Sequence, residues 1–391
     1  MRSCYVLPGI CGSELFSAPT PTGLLWVNYA RLVVGDIGPL RLAPDGISPG
    51  APDGLPLTTG GPLTAYYLEA LVSLGKQLGY DQYTVRGYAY DWRLEIIHQG
   101  ELLAADVRKT VTVADPCTIV GHSQGGLVAR AAWADLVRTG QTALVRRMIT
   151  LGTPHQGSYA AVQALSLTYE AIQQLADVSK YAARILSAVT HFPFLRPWTV
   201  EDLSALAASW PAIYELMPTV TPSSVDYDPA RRLMFMPANW PAARLINFTW
   251  LNFAGGPWRR FLADPSSIPP GQVLTTVAGD GFNTVNRLGD VARLGFPGFE
   301  GGYDLGDGTV TKESALIAAS ARYLVPAQHR DILNAVVAGG QLVPWILSDT
   351  PQGDPLALPA ALPAVYPSGM AGPPLPGPGL PGPGLPRLRG G

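Results

Sequence analysis

The segment Gly121-His122-Ser123-Gln124-Gly125 constrains this chain more than any other. It follows the short strand-like run Cys117-Thr118-Ile119-Val120 and precedes a helical pattern that starts near Gly126. A strand that turns into a helix within so few residues needs small residues on both sides of the turn. A Cβ there would run into the neighbouring strand and helix. The serine hydroxyl is then lifted clear of the sheet, beside the first amides of the helix, where negative charge is favoured.

The segments around this turn carry the same strand–helix alternation. Short apolar runs ending in Gly or turn residues predict strands at Cys4 to Leu7, Tyr83 to Tyr88, Cys117 to Val120, Arg147 to Leu151 and Val273 to Ala278. Helical patterns lie between them at Thr64 to Leu78, Ile96 to Thr112 and Gly125 to Thr139. Strand and helix in alternation imply an α/β chain with a mostly parallel sheet and helices on both faces.

The alternation stops after Leu151 and resumes at Val273. The intervening stretch is partly helical, without a clear strand, and holds Trp198, Trp210, Trp240, Trp250 and Trp258. We read residues 1–157 and 271–349 as two parts of one core and 158–270 as a mainly helical cap inserted between two strands. The cap's aromatics are expected to form its own core. Residues 350–391 end in Gly377-Pro378-Gly379-Leu380-Pro381 and Gly382-Pro383-Gly384-Leu385-Pro386. Such a tract cannot pack a core and is expected to be disordered.

Composition excludes several function classes. The net charge is −2 with no long run of one sign, unlike the basic footprint of a nucleic-acid binder. Charged residues make up only 14%, well below the roughly 25% of an average globular chain, so an apolar face can be exposed as well as buried. Cys4, Cys11 and Cys117 are too few for a disulfide framework and show no zinc-site spacing, which leaves them as small core residues. Pro8 and Gly9 interrupt the N-terminal apolar run before it reaches the about 7–15 residues of an export signal. No segment reaches the roughly 18 clean apolar residues of a membrane span. The expectation is a soluble, cytoplasmic protein without cofactor or metal.

A serine at such a turn is a nucleophile once a base removes its proton. The expected chain order is Ser, acid, His. Of the five histidines, His98 and His122 precede Ser123, His155 follows a strand too early, and His191 lies in the cap. His329, just before a helical pattern near Asp331, is the expected base. The acid is expected at Asp307 in Gly306-Asp307-Gly308-Thr309-Val310, with Asp280 and then Asp304 as rivals. Two amides should form an oxyanion hole: Gln124, after the nucleophile, and Ile10, in the loop Leu7-Pro8-Gly9-Ile10-Cys11-Gly12. Tyr90-Asp91-Trp92-Arg93 and Gly152-Thr153-Pro154-His155-Gln156-Gly157 follow strands at their carboxyl ends, where ligands bind in such sheets. Trp92 is therefore a candidate pocket wall, and Asp91 and Arg93 a candidate ion pair.

Taken in order, Pro8-Gly9-Ile10-Cys11-Gly12-Ser13-Glu14-Leu15, Tyr90-Asp91-Trp92-Arg93, Gly121-His122-Ser123-Gln124-Gly125-Gly126, Thr150-Leu151-Gly152-Thr153-Pro154 and Gly306-Asp307-Gly308-Thr309-Val310 resemble the lecithin:cholesterol acyltransferase and lysosomal phospholipase family. The resemblance implies an α/β-hydrolase fold and a serine acyl hydrolase or acyltransferase acting on lipid esters. It favours Asp307 over Asp280 and the Ile10 amide as an oxyanion donor. The chain departs from secreted members of that family in its lack of an evident export signal and of their disulfide cysteines. The expected partner is a lipid or small-molecule ester, with transient lipid-surface contact through the cap. Alternatives are a small-ester or thioester hydrolase with the same triad, and a non-catalytic binding module.

Overall fold

In a computed structural model, residues 1–17, 23–28, 31, 36–51, 54, 56–166, 199–219, 234–240, 246–287, 302–317 and 321–348 are described. Six strands form the central sheet: β1 (Arg2–Leu7), β5 (Tyr83–Gly87), β6 (Cys117–His122), β7 (Val145–Leu151), β8 (Leu274–Gly279) and β11 (Ala321–Val325). Their spatial order is β11-β8-β7-β6-β1-β5, and every pairing is parallel. Three short antiparallel strands, β2 (Ser13–Phe16), β3 (Leu24–Trp26) and β4 (Thr58–Pro62), form a separate sheet. A two-stranded antiparallel ribbon, β9 (Phe282–Arg287) with β10 (Gly302–Gly306), follows β8.

The central strands are apolar on both faces because helices cover both faces. Side chains alternate along a strand. Tyr5 and Leu7 of β1 therefore join Ile119, Met148 and the helices α2 (Ile96–Thr110) and α3 (Gln124–Arg138) in one core. Cys4 and Val6 point the other way and join Val120, Ile149, Val277, the helix α1 (Thr64–Leu78) and the helix Ile332–Ala338 in a second core. The fold is thus the α/β architecture that the alternation predicts. Both buried cysteines of the central strands, Cys4 and Cys117, are core residues as expected.

The strands outside the five expected ones, β2, β3, β4, β9, β10 and β11, were not foreseen. β11 is an edge strand in which only Tyr323 and Val325 are buried, so it lacks a continuous apolar run. β4, Thr58-Thr59-Gly60-Gly61-Pro62, has no large apolar side chain, and it owes its strand form to pairing with β2. The β9–β10 ribbon likewise depends on its partner strand.

Between β7 and β8, neighbours in the sheet, the chain leaves at Leu151 and returns at Leu274. Among the described residues of this stretch there is no strand. There are short helices instead, at Tyr159–Leu165, Val200–Ala207, Pro211–Glu215, Phe248–Phe253 and Arg259–Ala263. Thr199 and Asp202 close a capping box at the second of them, and Asn247 caps the fourth. Trp210, Trp240 and Trp258 are buried, and their indole N–H groups donate to the carbonyls of Leu40, Met234 and Glu215 at 2.8, 2.6 and 2.6 Å. Trp210 packs edge-on against Trp92 and Trp258 stacks on Phe261, and all three rings belong to the same apolar cluster as Leu7, Ile119 and Leu127, so the described part of this stretch shares the core of the sheet's face. Trp198 and His191 lie outside the described residues, as does the 350–391 tract.

Two buried polar groups tie this stretch to the sheet. Arg130 of α3 donates to Leu262 O at 3.0 Å, Ser267 Oγ at 2.6 Å and Ser267 O at 3.3 Å. Burial lowers its pKa to about 10. Glu215 Oε2 accepts the amide of Ile96 at 2.8 Å, in the first turn of α2, where amides lack intrahelical partners. Its Oε1 has no partner among the described residues. Burial first, and the charge of Glu95 second, push this carboxyl well above its ordinary pKa, against the opposing Ile96 hydrogen bond.

Candidate active site

Ser123 stands between β6 and α3 with φ 54° and ψ −126°, a left-handed backbone for a residue that carries a Cβ. Such a conformation costs of order 1–3 kcal/mol and persists only where the surroundings impose it. The surroundings here are tight. A Cβ on Gly121 would lie 2.5 Å from the Gly126 Cα, so the strand and helix meet through glycine alone. The Ser123 amide donates to Leu151 O at 2.8 Å, which locks the turn to β7.

His329 follows β11 and opens a short helical turn. Its Nε2 lies 2.8 Å from Ser123 Oγ, and its Nδ1 lies 2.7 Å from Asp307 Oδ2. A carboxylate only accepts, so the Nδ1 proton points at Asp307 and the Nε2 lone pair faces the serine hydroxyl. Asp307 is buried. It sits in the turn after β10, where its Oδ1 accepts from the amides of Thr309 at 2.9 Å and Val310 at 2.6 Å. The His329 amide donates to Asp307 O at 2.9 Å, so backbone and side chain hold the pair together. Asp280 and Asp304 are elsewhere. Asp280 Oδ1 accepts from Lys312 Nζ at 3.0 Å and from its neighbour's amide, and Asp304 is exposed.

The loop after β1 lies against the serine. A Cβ on Gly9 would stand 2.8 Å from Ser123 Cβ. The adjacent Ile10 amide has no hydrogen-bond partner among the described residues. Gln124 is the first residue of α3, and its amide belongs to the set that a helix leaves unpaired.

The segment Tyr90-Asp91-Trp92-Arg93 braces this loop from behind. Tyr90 Oη donates to Pro8 O at 2.8 Å, and Trp92 Nε1 donates to Ser13 O at 3.1 Å. The Trp92 side chain has no exposed surface and packs edge-on against Trp26 and Trp210. It therefore lies behind the site's wall, and its closest link to the serine is its carbonyl, which accepts from Gln124 Nε2 at 3.1 Å. Asp91 and Arg93 form a buried bidentate pair at 2.9 and 2.6 Å. Arg93 also donates to Leu40 O at 3.1 Å. His155 is enclosed by Arg130 and by Thr150 Oγ1 at 3.0 Å, and burial, then the Arg130 charge, push its pKa well below the usual value.

Sequence reasoning did not assign a role to Tyr67 or to His122. Tyr67 Oη accepts the Gly9 amide at 3.0 Å and lies 2.9 Å from His122 Nδ1. His122 Nε2 lies 2.8 Å from His329 O. The only sequence signal was the place of His122 inside the serine motif. Among the described residues no group of three His, Cys, Asp or Glu side chains is placed to hold a metal ion.

Comparison with known proteins bears on this arrangement. Comparison with curated proteins gives no match. Among solved structures, the chain is similar to the mature form of the Bacillus licheniformis lipase BlEst2, with 16% identity, a TM-score of 0.43, and coverage of 88% of this chain and 91% of that one. It is also similar to a chain in the Tle4–Tli4 complex, with 13% identity, a TM-score of 0.56, and coverage of 90% of this chain and 99% of that one. At these identities the second likeness speaks for the fold alone. The family described as lecithin:cholesterol acyltransferase matches residues 58–264, more than half of the chain. The chain therefore belongs to the lecithin:cholesterol acyltransferase family, on an α/β-hydrolase fold, as an enzyme of the ester hydrolase or acyltransferase class.

Proposed function

We propose that this protein cleaves apolar acyl esters through an acyl-enzyme on Ser123, with His329 as base and Asp307 as the acid that orients it. The observation that carries this reading is the unbroken pair of contacts, 2.8 Å from Ser123 to His329 and 2.7 Å from His329 to Asp307. In the first half-reaction Ser123 Oγ bonds to the ester carbonyl carbon while His329 Nε2 takes the hydroxyl proton. The carbonyl oxygen becomes an oxyanion, which the amides of Ile10 and Gln124 stabilise; each such donor is typically worth about 10²–10³ in rate. As the tetrahedral centre collapses, the C–O bond to the alcohol breaks and His329 gives that oxygen its proton. In the second half-reaction water or an acceptor alcohol gives its proton to His329 and attacks the acyl carbon, and Ser123 leaves with the proton. Throughout, Asp307 holds the Nδ1 tautomer and stabilises the imidazolium.

Residues 158–270 act in this reading as a cap over the acyl group. Met236 and Phe248, which are 49% and 47% exposed on this stretch, supply an apolar face for transient contact with a lipid surface. Each buried methylene of an acyl chain contributes about 0.8 kcal/mol. The test is a series of p-nitrophenyl esters from about two to twelve carbons, assayed as monomers and with detergent micelles, beside labelling by a fluorophosphonate. The expected result is labelling at Ser123 and a specificity constant that rises with chain length, by about a hundredfold for four carbons. A preference for acetate with no gain from longer chains or micelles overturns the lipid reading and favours a small-ester hydrolase.

A further inference from the structure

We propose that Tyr67 and His122 are positioning residues that join the two halves of the active site, tying the Gly9–Ile10 loop to the carbonyl of His329 through one directed chain of hydrogen bonds. The inference rests on the proposed roles of Ser123, His329 and Ile10, and it explains how segments more than 300 residues apart in sequence keep a common register.

The direction of each bond follows from what each atom can do. The His329 carbonyl only accepts, so His122 Nε2, at 2.8 Å, must carry a proton and donate it. In a neutral imidazole Nδ1 is then an acceptor, and the partner at 2.9 Å, Tyr67 Oη, donates to it. The phenolic oxygen still has lone pairs, and it accepts the Gly9 amide at 3.0 Å. Every donor and acceptor in the chain from Gly9 through Tyr67 and His122 to His329 is matched. A satisfied buried network of this kind fixes a single geometry.

Protonation of His122 would break the sequence. An Nδ1–H would face Tyr67, whose oxygen would then accept from both Gly9 and His122 and leave its own hydrogen without an acceptor. The protein keeps His122 neutral instead. Burial, and then the neighbouring His329, lower its pKa to about 4, against the opposing pull of the His329 carbonyl and of Asp307. Tyr67 is held in its neutral form as well, since burial raises its pKa well above the usual value. The neutral state matters because the His122 and His329 rings lie tilted against each other with centroids 5.2 Å apart. A cation on His122 would oppose the imidazolium that the reaction needs on His329.

The mechanical consequence is specific. The Gly9 amide is engaged by Tyr67, while the next amide along the loop, Ile10, has no partner among the described residues and stays open to an oxyanion. The base and that amide are then positioned by the same chain. Loosening it should slow the chemical step more than it weakens substrate binding, because a misplacement of the order of 1 Å at reacting groups costs about 10²-fold in rate.

The experiment is a double-mutant cycle in the full chain with Tyr67→Phe and His122→Gln, read by kcat and KM on a p-nitrophenyl ester, by thermal melting, and beside Ser123→Ala. Phe keeps the ring and removes the hydroxyl, and Gln keeps an N–H donor for His329 O while its only acceptor no longer sits at the Nδ1 position that faces Tyr67. Each single variant is expected to lose about 10- to 100-fold in kcat with little change in KM, and the double variant to lose no more than the worse single one. Wild-type kcat in Tyr67→Phe, or losses that multiply in the double variant, overturns the proposal. A loss confined to melting temperature also overturns it, since that marks a merely structural pair. If His122→Gln does not fold, kcat and KM of Tyr67→Phe decide alone. Activity retained by Ser123→Ala would instead overturn the proposed site itself, so the two failures are distinguishable.

Discussion

Gly152 faces Asp307 so closely that a Cβ on it would stand 3.0 Å from Asp307 Oδ2, 3.2 Å from His329 Nδ1 and 2.8 Å from the Ile332 Cδ1. Gly152 also has φ +57°. An added methyl group would push directly on the acid–base hydrogen bond and strain its own backbone. Gly152→Ala is therefore expected to lose about 10²-fold in kcat, with roughly 1–3 kcal/mol of stability. Steady-state kinetics with thermal melting checks both, and an alanine variant with wild-type kcat would contradict the placement.

Ser123→Ala is expected to lose about 10⁴–10⁶ in turnover, as other triad serines do, and to lose fluorophosphonate labelling. Ser123→Gly should be equally inactive. It should also relieve the left-handed strain at φ 54°, so its stability should match or exceed that of the alanine variant by about 1 kcal/mol. A glycine variant that melts well below Ser123→Ala would show that the turn is not strained.

Asp307→Asn should cost roughly 10⁴ in kcat, because an amide can present its N–H to Nδ1 and favour the wrong tautomer of His329. Asp280→Asn should be mild, since Asp280 is engaged with Lys312 at 3.0 Å. Reversed results would move the acid to Asp280.

Glu215 makes stability depend on pH. Its folded pKa is raised above the ordinary 4.5, so the folded state holds this proton more tightly than the unfolded state. The stability it contributes is fully present below about pH 4.5 and is lost as pH rises through the folded value. Glu215→Gln removes this dependence while its side-chain oxygen still accepts from Ile96. The stability of Glu215→Gln minus that of the wild type should be flat in acid, then rise by about 1.4 kcal/mol per pH unit, then level off. Denaturant melts at a series of pH values measure it, and a difference that never changes with pH would refute the raised pKa.

The strands buried on both faces were legible because burial leaves a continuous apolar run: Cys4 to Leu7 and Cys117 to Val120 announce themselves. The Thr64–Leu78 helix was legible to the residue through its periodicity. β11 and β4 were not, since one is a half-buried edge and the other gains its strand form only from β2. At the site, the strand–turn–helix motif pointed to Ser123 and chain order to His329, and the glycines flanking Asp307 favoured it over Asp280 before the resemblance added to that preference. The placement of Trp92 could not be read, because only the packing of Trp26 and Trp210 shows that its ring is enclosed. Tyr67 was invisible for the same reason. It meets His122 only because the sheet sets β6 beside β1 and α1 against them.

The excursion between β7 and β8 has a consequence for how the molecule folds. Parallel strands always require a crossover, which needs at least about a dozen residues. Loop-closure entropy grows only logarithmically, about 0.6 kcal/mol per doubling of length. Stretching that crossover across residues 152–273 thus costs on the order of 2 kcal/mol more than a minimal helix would. Its greater effect is on timing. The serine turn and the sheet strands β1, β5, β6 and β7 are contiguous in the first 151 residues, whereas β8 and β11, with Asp307 and His329 beside them, can add only after the excursion has closed. Pairing of distant segments is slow. The nascent protein should consequently carry the Ser123 turn without His329 and Asp307 beside it until the final strands dock.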